Sequence, residues 1–117
     1  MKITVSLKEN HLFRRLYQKG KTAADSRLAL YVRQNGHKGN RLGLTVSTKL
    51  GHAVVRNRIR RRLREVYRLH EDQMVSGRDV VIVARRRAAD SSYAQLERSF
   101  VKLAEQLGLL RKEAEEK

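Results

Sequence analysis

The sequence predicts a single α+β domain, an α/β sandwich in which an arginine-rich helix links two parallel strands of a mixed sheet. Residues 27–34 and 42–48 alternate apolar and polar side chains, as half-buried strands do. Residues 80–84 are continuously apolar, the pattern of a strand covered on both faces. Between them, Val55, Ile59, Leu63 and Val66 recur at the spacing of one helix face. Strand, helix and buried strand in succession imply a βαβ crossover, so strands 42–48 and 80–84 are expected to run parallel. With 117 residues the chain holds one ordinary core, and no repeat or linker divides it.

The first element is expected to be a short helix over residues 6–20. Ser6 or Asn10 can cap it, Glu9 follows Ser6 by three residues, and Gly20 marks its end. Leu12 with Leu16, and Phe13 with Tyr17, form i, i+4 pairs rotated by about 100° from each other. Periodicity alone reads all four as core. In strand 27–34, Leu28, Leu30 and Val32 share one face, while Ala29, Tyr31 and Arg33 share the other. The Gly- and Asn-rich residues 35–40 form a turn. Leu42, Leu44 and Val46 then point inward, and the two strands are expected to pair as a hairpin. Tyr31, beside Arg33 and away from the apolar core, suits base stacking. It suits shielding of the sheet edge equally well.

The helix is expected over residues 53–70, since no Gly or Pro interrupts it. Ser76 to Asp79 make a turn before the buried strand, which Arg85, Arg86 and Arg87 terminate. Asp90 or Ser91 is expected to cap a last helix carrying Leu96, Phe100, Leu103 and Leu107. The tail, residues 111–117, is charged and expected to fray.

Charge narrows the function. The formal net charge is +15, from 27 Lys and Arg against 12 Asp and Glu. Such an excess points first to nucleic acid and then to an anionic membrane. No apolar run approaches the roughly 20 residues that span a bilayer, and residues 1–7 lack the apolar core of a signal peptide. The absence of cysteine removes disulfide scaffolds and thiolate metal sites, and fits a cytoplasmic setting. Within the helix region, Lys49, Arg56, Arg58, Arg60, Arg61, Arg62 and Arg64 precede the first acid, Glu65. Solvated charged helices usually interleave Glu with Arg for i, i+4 pairing. This one does not, and a bound polyanion would relieve its self-repulsion.

The run Lys49-Leu50-Gly51-His52-Ala53-Val54-Val55-Arg56-Asn57-Arg58-Ile59-Arg60-Arg61 resembles the signature of the bacterial ribonuclease P protein family, with Arg56-Asn57-Arg58 as its RNR motif. The likeness extends to Leu7-Lys8, Asn10, Phe13, Tyr17 and Gly20, to Leu42-Gly43-Leu44 and Val46-Ser47, and to residues 81–85. It covers about residues 6–110. Tyr17 stands where the family often has Phe, and Thr48 replaces one of two adjacent basic residues. The resemblance implies a four-stranded mixed sheet with about three helices covering one face, and a left-handed crossover against the usual rule. It implies a protein that binds ribonuclease P RNA, a catalytic RNA, and the 5′ leader of precursor tRNA during tRNA maturation. By position, Phe13, Tyr17, Tyr31 and Arg33 would line the leader cleft. Lys49, Arg56, Asn57, Arg58, Arg60, Arg61, Arg64 and Arg68 would form the RNA-subunit surface. The resemblance thus moves Phe13 and Tyr17 from core to binding.

No catalytic constellation is legible in the polypeptide. His11, His37, His52 and His70 fall in separate segments without paired-ligand spacing. Phosphodiester hydrolysis needs in-line attack with charge neutralisation, usually by metals. The expectation is that Mg²⁺ is bound mainly through RNA, that the chain holds no catalytic or metal residue, and that no other protein partner is obligatory. The alternative is a ribosomal or general RNA-binding protein without a catalytic RNA partner. A protein-only nuclease and a DNA-binding helix-turn-helix rank below it, since the latter has no use for a buried strand.

Overall fold

The computed structural model describes residues 4–7 and 9–111. Lys8 and the tail from residue 112 onward lie outside these residues. The order is β1 (Thr4–Ser6), α1 (Asn10–Lys19), β2 (Lys21–Ala24), β3 (Leu28–Gln34), β4 (Asn40–Thr45), α2 (Ala53–His70), β5 (Arg78–Ala84) and α3 (Tyr93–Gln106). Short 3-10 turns fill Thr48–Leu50, Glu71–Gln73 and Arg86–Asp90.

The strands form one mixed sheet in the order β1-β4-β5-β3-β2. It has five strands among the described residues, not four. β1 and β2 are the edge strands, and neither is long enough to show a period. β4 and β5 run parallel, with Leu42 opposite Val80 and Leu44 opposite Ile82, as a crossover through α2 requires.

The expected hairpin between β3 and β4 does not form. β5 lies between them, antiparallel to β3 on its other side. The reason lies in the turn. Asn35 N–H donates to Gly77 O at 2.9 Å. Asn40 donates to Val75 O at 3.1 Å and accepts from Arg78 N–H at 2.8 Å. The turn thus straddles the start of β5 and holds β3 and β4 a strand apart.

Register assigns the faces. Leu28, Leu30, Val32, Leu42, Val80 and Ile82 point to the side where Ile59, Leu63, Val66 and Tyr67 of α2 and Leu96, Phe100 and Leu103 of α3 form the main core. Each fully buried large apolar side chain stabilises the fold by about 1.5–3 kcal/mol. The other side carries Val81, half-buried Tyr31 and Val83, and against them pack Leu7 and Leu16. The helices therefore do not cover one face alone. α2 and α3 take one side and α1 the other, because Leu12 and Leu16 need an apolar surface that Val81 and Val83 supply.

Two helix ends differ from expectation. α1 begins after Glu9, which makes no side-chain cap, while Ser6 belongs to β1. α3 is capped by Ser92, not Asp90 or Ser91. Ser92 Oγ accepts from Gln95 N–H at 3.2 Å, and Gln95 Oε1 accepts from Ser92 N–H at 2.9 Å, a full capping box. Ser91 is buried, with its hydroxyl donating to Arg87 O at 2.6 Å. Gly20 does end α1, but in extended backbone. A Cβ there would stand 2.6 Å from Leu16 O.

Candidate nucleic-acid interface

α1 crosses the sheet face opposite the main core and divides it into two flanks. Leu16 anchors it at 1% exposure. Phe13 and Tyr17 emerge on one flank, Leu12 and Arg15 on the other, as the 3.6-residue period dictates. Phe13 is half-buried, and Tyr17 is 42% exposed. The expectation from periodicity that all four apolar positions are core holds for Leu16 and fails for Tyr17.

Phe13, Tyr17 and Tyr31 form a row. Ring centroids lie 6.4 Å apart for Phe13 and Tyr17, and 4.9 Å apart for Tyr17 and Tyr31, the latter edge-on at 81°. Tyr17 Oη is 3.2 Å from Thr45 Oγ1, which ties the ring to β4. Gly43 gives Phe13 its seat, since a Cβ there would meet Phe13 Cζ at 2.6 Å. Gly43 and Thr45 are neighbours of this row that sequence reasoning did not name among the site residues. Their only signal was the glycine interrupting an apolar strand.

α2 supplies the charge. Its first turn contains no acid, so the arginines there add to the positive end of the helix dipole. Arg60 and Arg64 line a cleft with Ser6, Leu7, Phe13 and Gly43, so the basic helix and the aromatic row open into one space. Arg56 Nε donates to Gly51 O at 3.2 Å, and Arg60 donates to Asn57 Oδ1 at 3.2 Å. Arg61 and Arg64 border a shallow groove with Arg68 and Glu65. Arg68 is bonded to Glu65, with Nε at 3.1 Å from Oε2, and this bond holds the Glu65 carboxyl below its ordinary pKa. Arg62 turns to the opposite flank, where it donates to Ser91 O at 2.9 Å, and half-buried Arg58 lies one turn before it. Lys49 is exposed in the turn ahead of α2.

Not every expected residue joins the cleft. Arg33 lies two residues beyond Tyr31 in β3, but it lines a separate cavity with Leu12, Arg15 and Arg41 on the other flank of α1. Among the described residues, no three His, Asp or Glu gather closely enough to hold a metal ion. No described helix is long and apolar enough to cross a membrane.

Comparison with known proteins decides which family the chain belongs to. The family model described as Ribonuclease P matches residues 1–108. The chain belongs to the ribonuclease P protein family. It is 38% identical over 110 residues to the ribonuclease P protein component of Alkaliphilus oremlandii, covering 94% of this chain and 96% of that relative. With the protein component of Natranaerobius thermophilus it shares 41% identity over 108 residues, covering 92% and 94%. The structure of the Staphylococcus aureus ribonuclease P protein superposes with a TM-score of 0.84 at 32% identity, covering 91% of this chain and 97% of that one. Ribonuclease P is an endoribonuclease whose catalysis is carried by RNA. Membership makes this chain its protein subunit, and RNA binding and tRNA processing follow from that. The reading as a ribosomal protein is thereby set aside.

Proposed function

We propose that the chain grips the 5′ leader of precursor tRNA along Phe13, Tyr17 and Tyr31 while α2 docks on the ribonuclease P RNA. One observation supports this above others: Arg60 and Arg64 share a cleft with Phe13. A leader stacked on the row then runs beside the surface that holds the catalytic RNA, and the cleavage point is presented to it. Unpaired bases offer free faces to the rings, each stack contributing about 1–3 kcal/mol. A folded tRNA body offers none. Lys49, Arg56, Arg58, Arg60, Arg61, Arg64 and Arg68 neutralise phosphates and release their counterions, and Asn57 positions Arg60.

In this reading Mg²⁺ is held mainly by RNA, and the polypeptide alone does not cleave. The domain core extends over residues 6–110 with a left-handed crossover, the chain works in the cytoplasm, and it requires no further protein.

The test is a holoenzyme reconstituted with ribonuclease P RNA. Phe13→Ala and Tyr31→Ala are expected to lower affinity for precursor tRNA while leaving that for mature tRNA nearly unchanged, with circular dichroism confirming the fold. Folded variants that keep the wild-type precursor-to-mature ratio would reduce the rings to packing.

A further inference from the structure

A second basic surface lies away from α2. The cavity that holds Arg33 and Arg15 adjoins a larger one lined by Lys19, Lys21 and Arg78, and the two share Arg33 and Gln34. Asp79 is the one acid lining either cavity, and Arg41 grips it through both carboxylate oxygens, at 2.6 and 2.7 Å. Among the described residues, Arg15, Lys19, Lys21 and Arg33 form no ion pair. Arg78 spends one guanidinium nitrogen on Ser76 O at 2.9 Å. Besides Arg41, five cations thus border a crevice whose only carboxylate is already neutralised. The end of α3, at Leu107 and Gly108, also borders it, and the lysines complement that helix end. Arg15 lines only the other cavity, away from α3, so this role does not account for it.

We propose that this crevice takes the phosphodiester backbone of the leader upstream of the bases held by the aromatic row. The proposal rests on the leader reading above and extends it. Arg33 and Tyr31 share a face of β3 about 7 Å apart along the strand but lie on opposite flanks of α1, so a chain leaving Tyr31 rounds the end of α1 at Lys19 to arrive among these cations. RNA gripped by α2 does not reach them, because its Arg60 and Arg64 border β4 and β1, at the edge of the sheet opposite β2 and β3. No aromatic ring lines the crevice. It therefore binds phosphate without stacking and shows no base preference.

The experiment compares reconstituted holoenzymes on three ligands: mature tRNA, precursor with a leader ending at the aromatic row, and precursor with a leader extending past it. The variants are Lys19→Ala with Lys21→Ala, and the milder Lys19→Gln with Lys21→Gln, which guards against loss of fold. Wild type is expected to gain affinity with the longer leader. Both variants should lose that gain, with the log–log salt slope for the long leader falling by about 0.7 per phosphate contact removed. Their affinities for the short leader and for mature tRNA should stay unchanged. A length-dependent gain that survives in both variants would overturn the proposal, as would an absent gain in wild type. An equal loss on mature tRNA would also overturn it, placing the crevice against the tRNA body or the RNA subunit. If wild type fails to distinguish precursor from mature tRNA at all, the leader reading itself is what has failed.

Discussion

The ring of Phe13 rests on the backbone of Gly43, so closely that a Cβ at position 43 would stand 2.6 Å from Cζ and 2.7 Å from Cε1. This contact sets the depth of the ring between α1 and β4. Gly43 has ordinary strand backbone, so its role here is space and not conformational freedom.

Gly43→Ala should therefore act as a displacement of Phe13. Over-packing of this kind costs about 1–3 kcal/mol of stability, read as a lower midpoint in urea. The expected functional result is weaker precursor binding with mature tRNA binding preserved. A variant that binds precursor as wild type does would show that the position of the Phe13 ring is immaterial.

The arginines of α2 should not be equivalent. Arg60 and Arg64 border the cleft, whereas Arg68 is already bonded to Glu65. Arg60→Ala or Arg64→Ala should flatten the salt dependence of RNA affinity by somewhat under one log–log unit. Arg68→Ala should flatten it less, because the freed Glu65 carboxylate adds repulsion without changing the number of free cations. Asn57→Ala should leave the slope intact and lower affinity only by releasing Arg60. Binding titrations at several salt concentrations check this, and identical slopes for all four variants would remove α2 as the electrostatic contact.

Asp25 gives the fold an acid limit. Burial alone would raise its pKa, but hydrogen bonds from Leu28 N–H, Ser99, Arg27 N–H and Lys102 outweigh that and lower it to about 2. Oδ1 accepts from Arg27 and Leu28 N–H at 2.8 and 2.9 Å, which closes the turn between β2 and β3. The folded state thus binds fewer protons at Asp25 than the unfolded chain, whose carboxyl titrates near pH 3.9. The stabilisation is full above that pH and is lost as pH falls through about 2, with a ceiling of about 2.6 kcal/mol that solvent screening lowers. Asp25→Asn should lower stability at neutral pH and flatten its decline between about pH 4 and pH 2. An unchanged slope in acid denaturation would assign that decline to other carboxylates.

Much of this molecule is local and was legible as such. α2 occupies residues 53–70 as expected, because four apolar positions at helical spacing and an uninterrupted run of helix formers act within a few turns. β5 is buried because a continuous apolar run has no polar face to offer water. The charge of the interface is a property of composition and needs no fold to be seen. The candidate site became legible through a pattern of residue types around Arg56-Asn57-Arg58, which is also local.

Strand order was decided elsewhere. The alternation in β3 is the same whether β4 or β5 lies beside it, since a period of two states which side chains share a face and not which strand supplies the hydrogen bonds. The insertion of β5 depends on Asn35 and Asn40 bonding to residues 75–79, some forty positions away. β1 has three residues and acquires its identity only by pairing with β4. The seat of Phe13 on Gly43, the opening of the aromatic row into the cleft of Arg60, and the meeting of Lys21 with Arg78 likewise join residues far apart in the chain. Tertiary packing alone brings such residues together, because no local pattern records which distant surface will cover them.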